Sequence, residues 1–299
     1  MKKIALFFVV VGCLVGLTAL VLTMSSDGTF GSAKLSLGGP GRLVARAAEK
    51  PEAEKELDRP GAAREALPKP AHGMRKVQRS SNSARSSARF ELSYPVFSGE
   101  GAEALNAGVS KKLCAMLENE TSPEAAADGF VKQHAAFVAE FPGSASSWRF
   151  AATVTCEGSV ANLVCLKMSH HGYAGGAHGF QGSAYVLFDS STGEEVEWQD
   201  TVSPDMMREL TETAEKYFRA GRGLSANEDL NDAGYWFEKG FTLDEAEVGL
   251  TSVGLIVHFN PYTIASYAQG STTYTIPMEE LLGVIGVQYA LAGELGDAF

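Results

Sequence analysis

The stretch SHHGYAGGAHGFQG, Ser169 to Gly182, gathers three of the six histidines and five glycines. Imidazoles and glycines at this density admit a metal centre, a phosphate-binding loop or a histidine-dependent hydrolase. A metal needs converging ligands. His170 and His171 are neighbours, so on a strand they point to opposite faces and only one can serve with His178. The His-Glu-x-x-His and His-x-x-Glu-His spacings are absent, and no cysteine pair has zinc-finger spacing. Carboxylates from elsewhere would have to complete the set. A phosphate loop needs Lys-Ser/Thr after its glycines and then a helix, whereas GYAGGAHG runs into strand-like sequence. No Gly-x-Ser-x-Gly elbow occurs. The remaining reading is structural: Gly175 and Gly176 allow positive φ in a tight connection between two strands, and His178 anchors that turn. The chain is therefore expected to have no catalytic residue, metal or other cofactor. A hydrolase using His178 with nearby carboxylates is the lesser alternative.

The elements around this turn are legible from periodicity. RFELSYPVFSG alternates like a strand, and Leu105, Val109, Leu113 and Met116 recur on one helical face. A second helix begins at Ser122, an N-cap, with Pro123 at its first position. Strands follow in WRFAATVTCEG, ANLVCLKMSHHGY and SAYVLFDSSTGEEV. SPDMMRELTETAEKYFRAG repeats the Ser-Pro helix start, with Met207, Leu210, Ala214 and Tyr217 on one face. FTLDEAEVGLTSVGLIVHFNPYTIASY and STTYTIP are β again, and MEELLGVI reads as a helix. Strands and helices in runs, without strict alternation, predict an α+β fold of antiparallel sheets with packed helices.

Before this part, Ile4 to Met24 is uncharged and, at about 1.5 Å per residue, spans roughly 31 Å, enough for a bilayer core. Lys2 and Lys3 precede it, which predicts a cytoplasmic N-terminus and everything after Met24 on the outer side of the cytoplasmic membrane. A cleaved signal peptide, or a lipoprotein acylated at Cys13, would place the chain on the same side. From Ser25 the composition turns to Pro, Ala, Arg, Glu and Ser, so residues 25–87 read as a disordered tether. Residues 25–89 carry thirteen basic and seven acidic side chains, and residues 90–299 ten and twenty-nine, for nets of about +6 and −19. The acidic half suits either a solvated surface or a cationic partner. No basic, aromatic-interleaved patch points to nucleic acid. Asn119 in NET matches a glycosylation acceptor. Cys156 and Cys165 bracket an expected hairpin, across which they can face each other and form a disulfide in an oxidising compartment. The alternative is two small apolar strand residues. Cys114, beside Leu113 on a helix, reads as a buried free thiol.

YAGGAHG followed by YVLFDSSTGEEVEWQDTV resembles the signature of an RsiV-like group of bacterial extracytoplasmic domains. That group includes the lysozyme-sensing ectodomain of the sigma-V anti-sigma factor and the non-catalytic part of a peptidoglycan deacetylase. FELSYPVFSGEGAEALN resembles the group's opening, and FNPYTIASYAQG with the following IP its C-terminal half. The likeness spans about residues 88–285 and implies paired subdomains, 88–200 and 201–299, behind an anchor (1–24) and linker (25–87). Sigma-binding and deacetylase parts have no counterpart in this sequence, so the resemblance implies binding or sensing. The candidate binding residues it carries are Tyr173, Gly175, Gly176, His178, Tyr262 and Tyr267. The expected partner is a lysozyme-like cationic protein. The alternative is peptidoglycan, stacked on aromatics such as Trp148, Trp198, Tyr235, Trp236 and Tyr262.

Overall fold

Six strands build a first sheet, β1 (His72–Asn82), β2 (Ser87–Phe97), β3 (Ser147–Val160), β4 (Leu163–Tyr173), β5 (Phe180–Asp189) and β6 (Glu195–Val196), paired in that order, with buried and less buried side chains alternating along β2 and β3. The structure, a computed structural model, describes residues 69–83, 85–99, 101–118, 121–143, 145–175 and 178–290. The apolar run with Cys13, most of the expected tether, Asn119, Gly176 and Ala177 lie outside the described residues. Among the described residues no helix is long and apolar enough to cross a membrane.

Within the expected α+β fold the first sheet is mixed: β2 and β3 run parallel, and the other neighbours antiparallel. A parallel pair needs a crossover. Here it is α1 (Ala102–Met116) and α2 (Pro123–Glu140). The expected face of α1, Leu105, Val109, Leu113 and Met116, is the buried one. Ser122 caps α2 by accepting the Ala125 N–H at 3.1 Å, with Pro123 following as expected. The helices cover one face of the sheet, where Phe130 of α2 meets Phe90 and Phe150. α1 rests very close to the turn after β5: a Cβ on Gly108 would lie 1.9 Å from the Gly193 carbonyl oxygen.

Strand β1 falls inside the segment read as tether. Only Val77 of its eleven residues is buried, so it shows no apolar alternation; backbone pairing to β2 along its whole length makes it a strand. Its Arg75 and Arg79 reach Glu124 and Asp128 of α2 at 2.6 and 2.5 Å. Charged side chains along an edge strand also discourage pairing with other chains.

The opposite face of the first sheet meets a second, antiparallel one: β7 (Glu247–Thr251), β8 (Gly254–Phe259) and β9 (Thr272–Pro277). Val160, Leu163, Cys165 and Leu187 of the first sheet share one core with Leu250, Leu255, Val257 and Ile276 of the second. Helix α3 (Met207–Arg222) closes that core with Leu210, Ala214 and Phe218. It starts later than Ser203-Pro204 suggested, because those residues form a turn in which the Met206 N–H reaches the Ser203 carbonyl. The terminal MEELLGVI stretch makes only a 3-10 turn, Met278–Leu281, and the last helix is α4 (Val287–Ala290).

The β3–β4 hairpin forms, but the expected disulfide does not: Cys156 and Cys165 are free thiols. A bulge at Glu157 pairs Cys156 with Leu166 and Gly158 with Cys165. Directly paired residues share a face and neighbours alternate, so one extra residue turns the two sulfurs to opposite sides of the sheet. Cys165 is fully buried in the shared core, and burial pushes its thiol pKa well up. Cys114 is also a free thiol, half-buried on α1.

Candidate functional site

The glycine turn lies where β4 hands over to β5. Gly172 pairs with Phe180, and a Cβ on Gly172 would lie 2.6 Å from the Arg149 carbonyl oxygen, so packing as well as the turn demands glycine. Gly175 has φ +101°, the left-handed backbone expected of it; Gly176 lies outside the described residues. His178 is exposed, and its Nδ1–H donates to the carbonyl of its own neighbour Gly179 at 2.9 Å. Tyr173, half-buried, ends β4 opposite Arg149. His170 and His171 alternate across the strand as expected: His171 is exposed, while His170 is half-buried near the Phe180 ring. Burial, and then His171, lowers the His170 pKa. Among the described residues no three His, Cys, Asp or Glu side chains come together.

A different kind of surface is built by the loops between α3 and β7 and between β8 and β9. Trp236, Tyr262 and Tyr267 are 51%, 58% and 49% exposed, unusual for such large rings. Trp236 is held outward because its neighbours point in: Tyr235 and Phe237 are buried and set edge-on against Phe218, at 4.9 and 5.7 Å between centroids. The Trp236 backbone N–H donates to the Ile264 carbonyl at 2.8 Å, tying the two loops together. The Tyr262 and Tyr267 rings lie 5.2 Å apart at 31°. Tyr262 has φ +69°, a left-handed backbone that costs a non-glycine residue on the order of 1–3 kcal/mol. Around Trp236 in the chain, Glu228, Asp229, Asp232, Glu238, Asp244 and Glu245 are exposed, with Lys239 the one exposed lysine between them.

Beneath these loops, polar groups join the two sheets. Asn260 receives the Ser183 N–H on Oδ1 at 2.7 Å and donates from Nδ2 to the Ser183 carbonyl at 2.8 Å. His258, 1% exposed, places Nε2 3.2 Å from the same Oδ1 and Nδ1 2.7 Å from the Thr273 hydroxyl. Glu247, paired across the ladder with His258, accepts the Tyr185 backbone N–H. Burial raises the Glu247 pKa to about 7, while that hydrogen bond and Lys112 oppose the shift.

The structure thus separates the candidate residues. Tyr173, Gly175 and His178 belong to the glycine turn; Tyr262 and Tyr267 form a pair with Trp236 close by. Asn260 lies two residues before Tyr262 and docks near the start of β5, so both motifs sit towards one end of the β4–β5 hairpin. Of the five aromatics considered for sugar stacking, Trp148 packs against Phe130, His134 and Phe137, Trp198 lies on the shared core and Tyr235 is buried. Sequence reasoning missed Asn260, His258 and Glu247. The available signal was a histidine and an asparagine closing the apolar strand GLIVHFN, where unpartnered polar groups would be costly.

No curated protein matches the chain. A member of the DUF3298 family from Bacteroides fragilis is similar in structure, with a TM-score of 0.60 at 19% identity over 76% of this chain and 98% of that one. A DUF3298 family protein from Pseudomonas aeruginosa PAO1 gives a TM-score of 0.52 at 17% identity over 73% and 96%. Residues 199–279, which carry α3, the second sheet and all three exposed aromatics, match the family DUF3298, a protein of unknown function, and form a domain of that family.

Proposed function

We propose that the chain is an extracytoplasmic binding or sensing module of the bacterial cell envelope. Its N-terminal run tethers it to the cytoplasmic membrane, and its partner is a lysozyme-like cationic protein. The observation that carries this reading is the exposed Trp236, Tyr262 and Tyr267 set in an acidic surface. Exposed Trp and Tyr on a fixed backbone are the usual energetic centre of a protein interface. Surrounding carboxylates would steer a basic partner towards it. The same flat rings favour peptidoglycan as the second reading, since sugars also stack on aromatics.

Titration of the protein with a c-type lysozyme at low and high salt separates the two. The proposal predicts binding that weakens at least tenfold between 50 and 500 mM salt, as roughly expected for screened charge. Trp236→Ala and Tyr262→Ala should each cost about tenfold or more. Salt-insensitive binding of soluble peptidoglycan fragments, with none of lysozyme, would instead support the glycan reading. An inactive C-terminal alkaline phosphatase fusion would contradict the topology.

A further inference from the structure

We infer that Asn260 is the positioning residue of the aromatic face: its amide stands in for a missing strand on the edge of β5 and fixes the loop that carries Tyr262 and Tyr267. This rests on the binding role proposed for that loop. Among the described residues β6 pairs with Leu187 and Phe188 alone, so the earlier part of β5 has β4 on one side and no ladder on the other. In an antiparallel ladder alternate residues turn N–H and C=O outward. Ser183 does so, and Asn260 answers both groups, at 2.7 and 2.8 Å, as a paired strand residue would.

That pair also fixes which way the amide faces, because only Oδ1 can accept the Ser183 N–H. The acceptor near His258 is therefore that same oxygen, so Nε2 of His258 carries the proton and donates. Its Nδ1 meets the Thr273 hydroxyl at 2.7 Å, across the ladder between β8 and β9. One amide is thus keyed to both sheets through groups that are almost wholly buried: Ser183 is 8% exposed and His258 1%.

The consequence falls on the next residues. Pro261 restricts the backbone and the Thr263 N–H returns to the Asn260 carbonyl at 3.2 Å, which closes a tight turn around Tyr262. Tyr262 holds φ +69° between two fastenings, Asn260 behind it and the Trp236–Ile264 hydrogen bond ahead. Strained backbone persists only when its surroundings over-determine it. Without the Asn260 amide, one of the two fastenings is gone.

Hydrogen exchange of the full chain tests this without any ligand. In Asn260→Ala, the Ser183 amide and peptides covering 261–269 should exchange at least tenfold faster, with α1 and α2 unchanged. Lysozyme affinity should fall by about the factor seen for Tyr262→Ala. Wild-type exchange over 261–269 would overturn the inference. If Asn260→Ala loosens the whole fold, Asn260→Asp decides. It keeps the acceptor for Ser183 N–H and sets an oxygen against the Ser183 carbonyl, so faster exchange confined to the loop supports the inference and wild-type exchange refutes it. Local loosening in a protein whose wild type binds no lysozyme would uphold Asn260 as the fastening and remove only the proposed partner.

Discussion

The glycine turn after β4 and the aromatic loop after β8 lie towards the same end of one hairpin, yet they hold their side chains in opposite ways. In the first, the residue with the most chemical potential, His178, donates to the carbonyl beside it and stands in solvent. In the second, chemically bland tyrosines are held in the open, Tyr262 on a left-handed backbone, in a loop fastened to buried polar groups below. Glycines make the first turn possible by relieving strain; the second loop keeps strain and is anchored against it. Under the proposed binding role, a density of reactive residue types is thus a poorer guide to the surface that meets a partner than exposed apolar area with a buried reason for its position.

The comparison breaks most severely at the base of the aromatic face. Phe218 is fully buried and touches the rings of Tyr235, Phe237, Phe241, Phe259 and Tyr274. Phe218→Ala should cost about 3–5 kcal/mol in thermal or denaturant unfolding. A loss below about 1 kcal/mol would mean that Tyr235 and Phe237 need no such wall to turn Trp236 outward.

A smaller effect is expected beside the polar anchor, and it depends on pH. The Glu247 carboxyl titrates at about 7 in the fold against an ordinary 4.5, so between these values the native state holds a proton that the unfolded chain releases. The stability this group contributes is fully present below pH 4.5 and is lost as pH rises through about 7. Glu247→Gln retains an acceptor for the Tyr185 N–H and removes that loss. After allowance for partial exposure, the variant should be about 1–2 kcal/mol more stable than wild type at pH 8 and nearly equal at pH 4.5. Equal stability at both pH values would contradict the raised titration.

At the glycine turn and the β3–β4 hairpin the expected effects are smallest. His178→Ala should change unfolding free energy by no more than about 0.5 kcal/mol, since its one described hydrogen bond is exposed. Alkylation in denaturant without reductant should label both Cys156 and Cys165, and reductant should leave the melting temperature unchanged. Resistance of both to alkylation would restore the disulfide.

Where burial has a period, the sequence was legible. The α1 face, the Ser122-Pro123 start of α2, the strands from β2 to β5 and the β3–β4 hairpin all follow from local patterning. Three features had no local signal. Strand β1 is specified by its partner and by ion pairs to α2, with Val77 alone buried. The bulge at Glu157 shifts register by one residue, and that decides the fate of two cysteines. The parallel β2–β3 pairing is a long-range choice that the two intervening helices permit. For the candidate site, the motifs singled out Tyr262 and Tyr267, whose rings are exposed, and did not reveal what holds them. The Asn260–Ser183 pair links residues 77 apart, and no spacing rule reaches that far.

Under the proposed binding role, the aromatic and acidic loops of residues 228–245 and 260–269 meet the partner, and the glycine turn does not. Hydrogen exchange of the full chain with and without saturating c-type lysozyme tests it most directly. Added protection is expected in peptides covering 228–245 and 260–269 and none in 171–182. Protection confined to 171–182, or none anywhere at saturation, would contradict it.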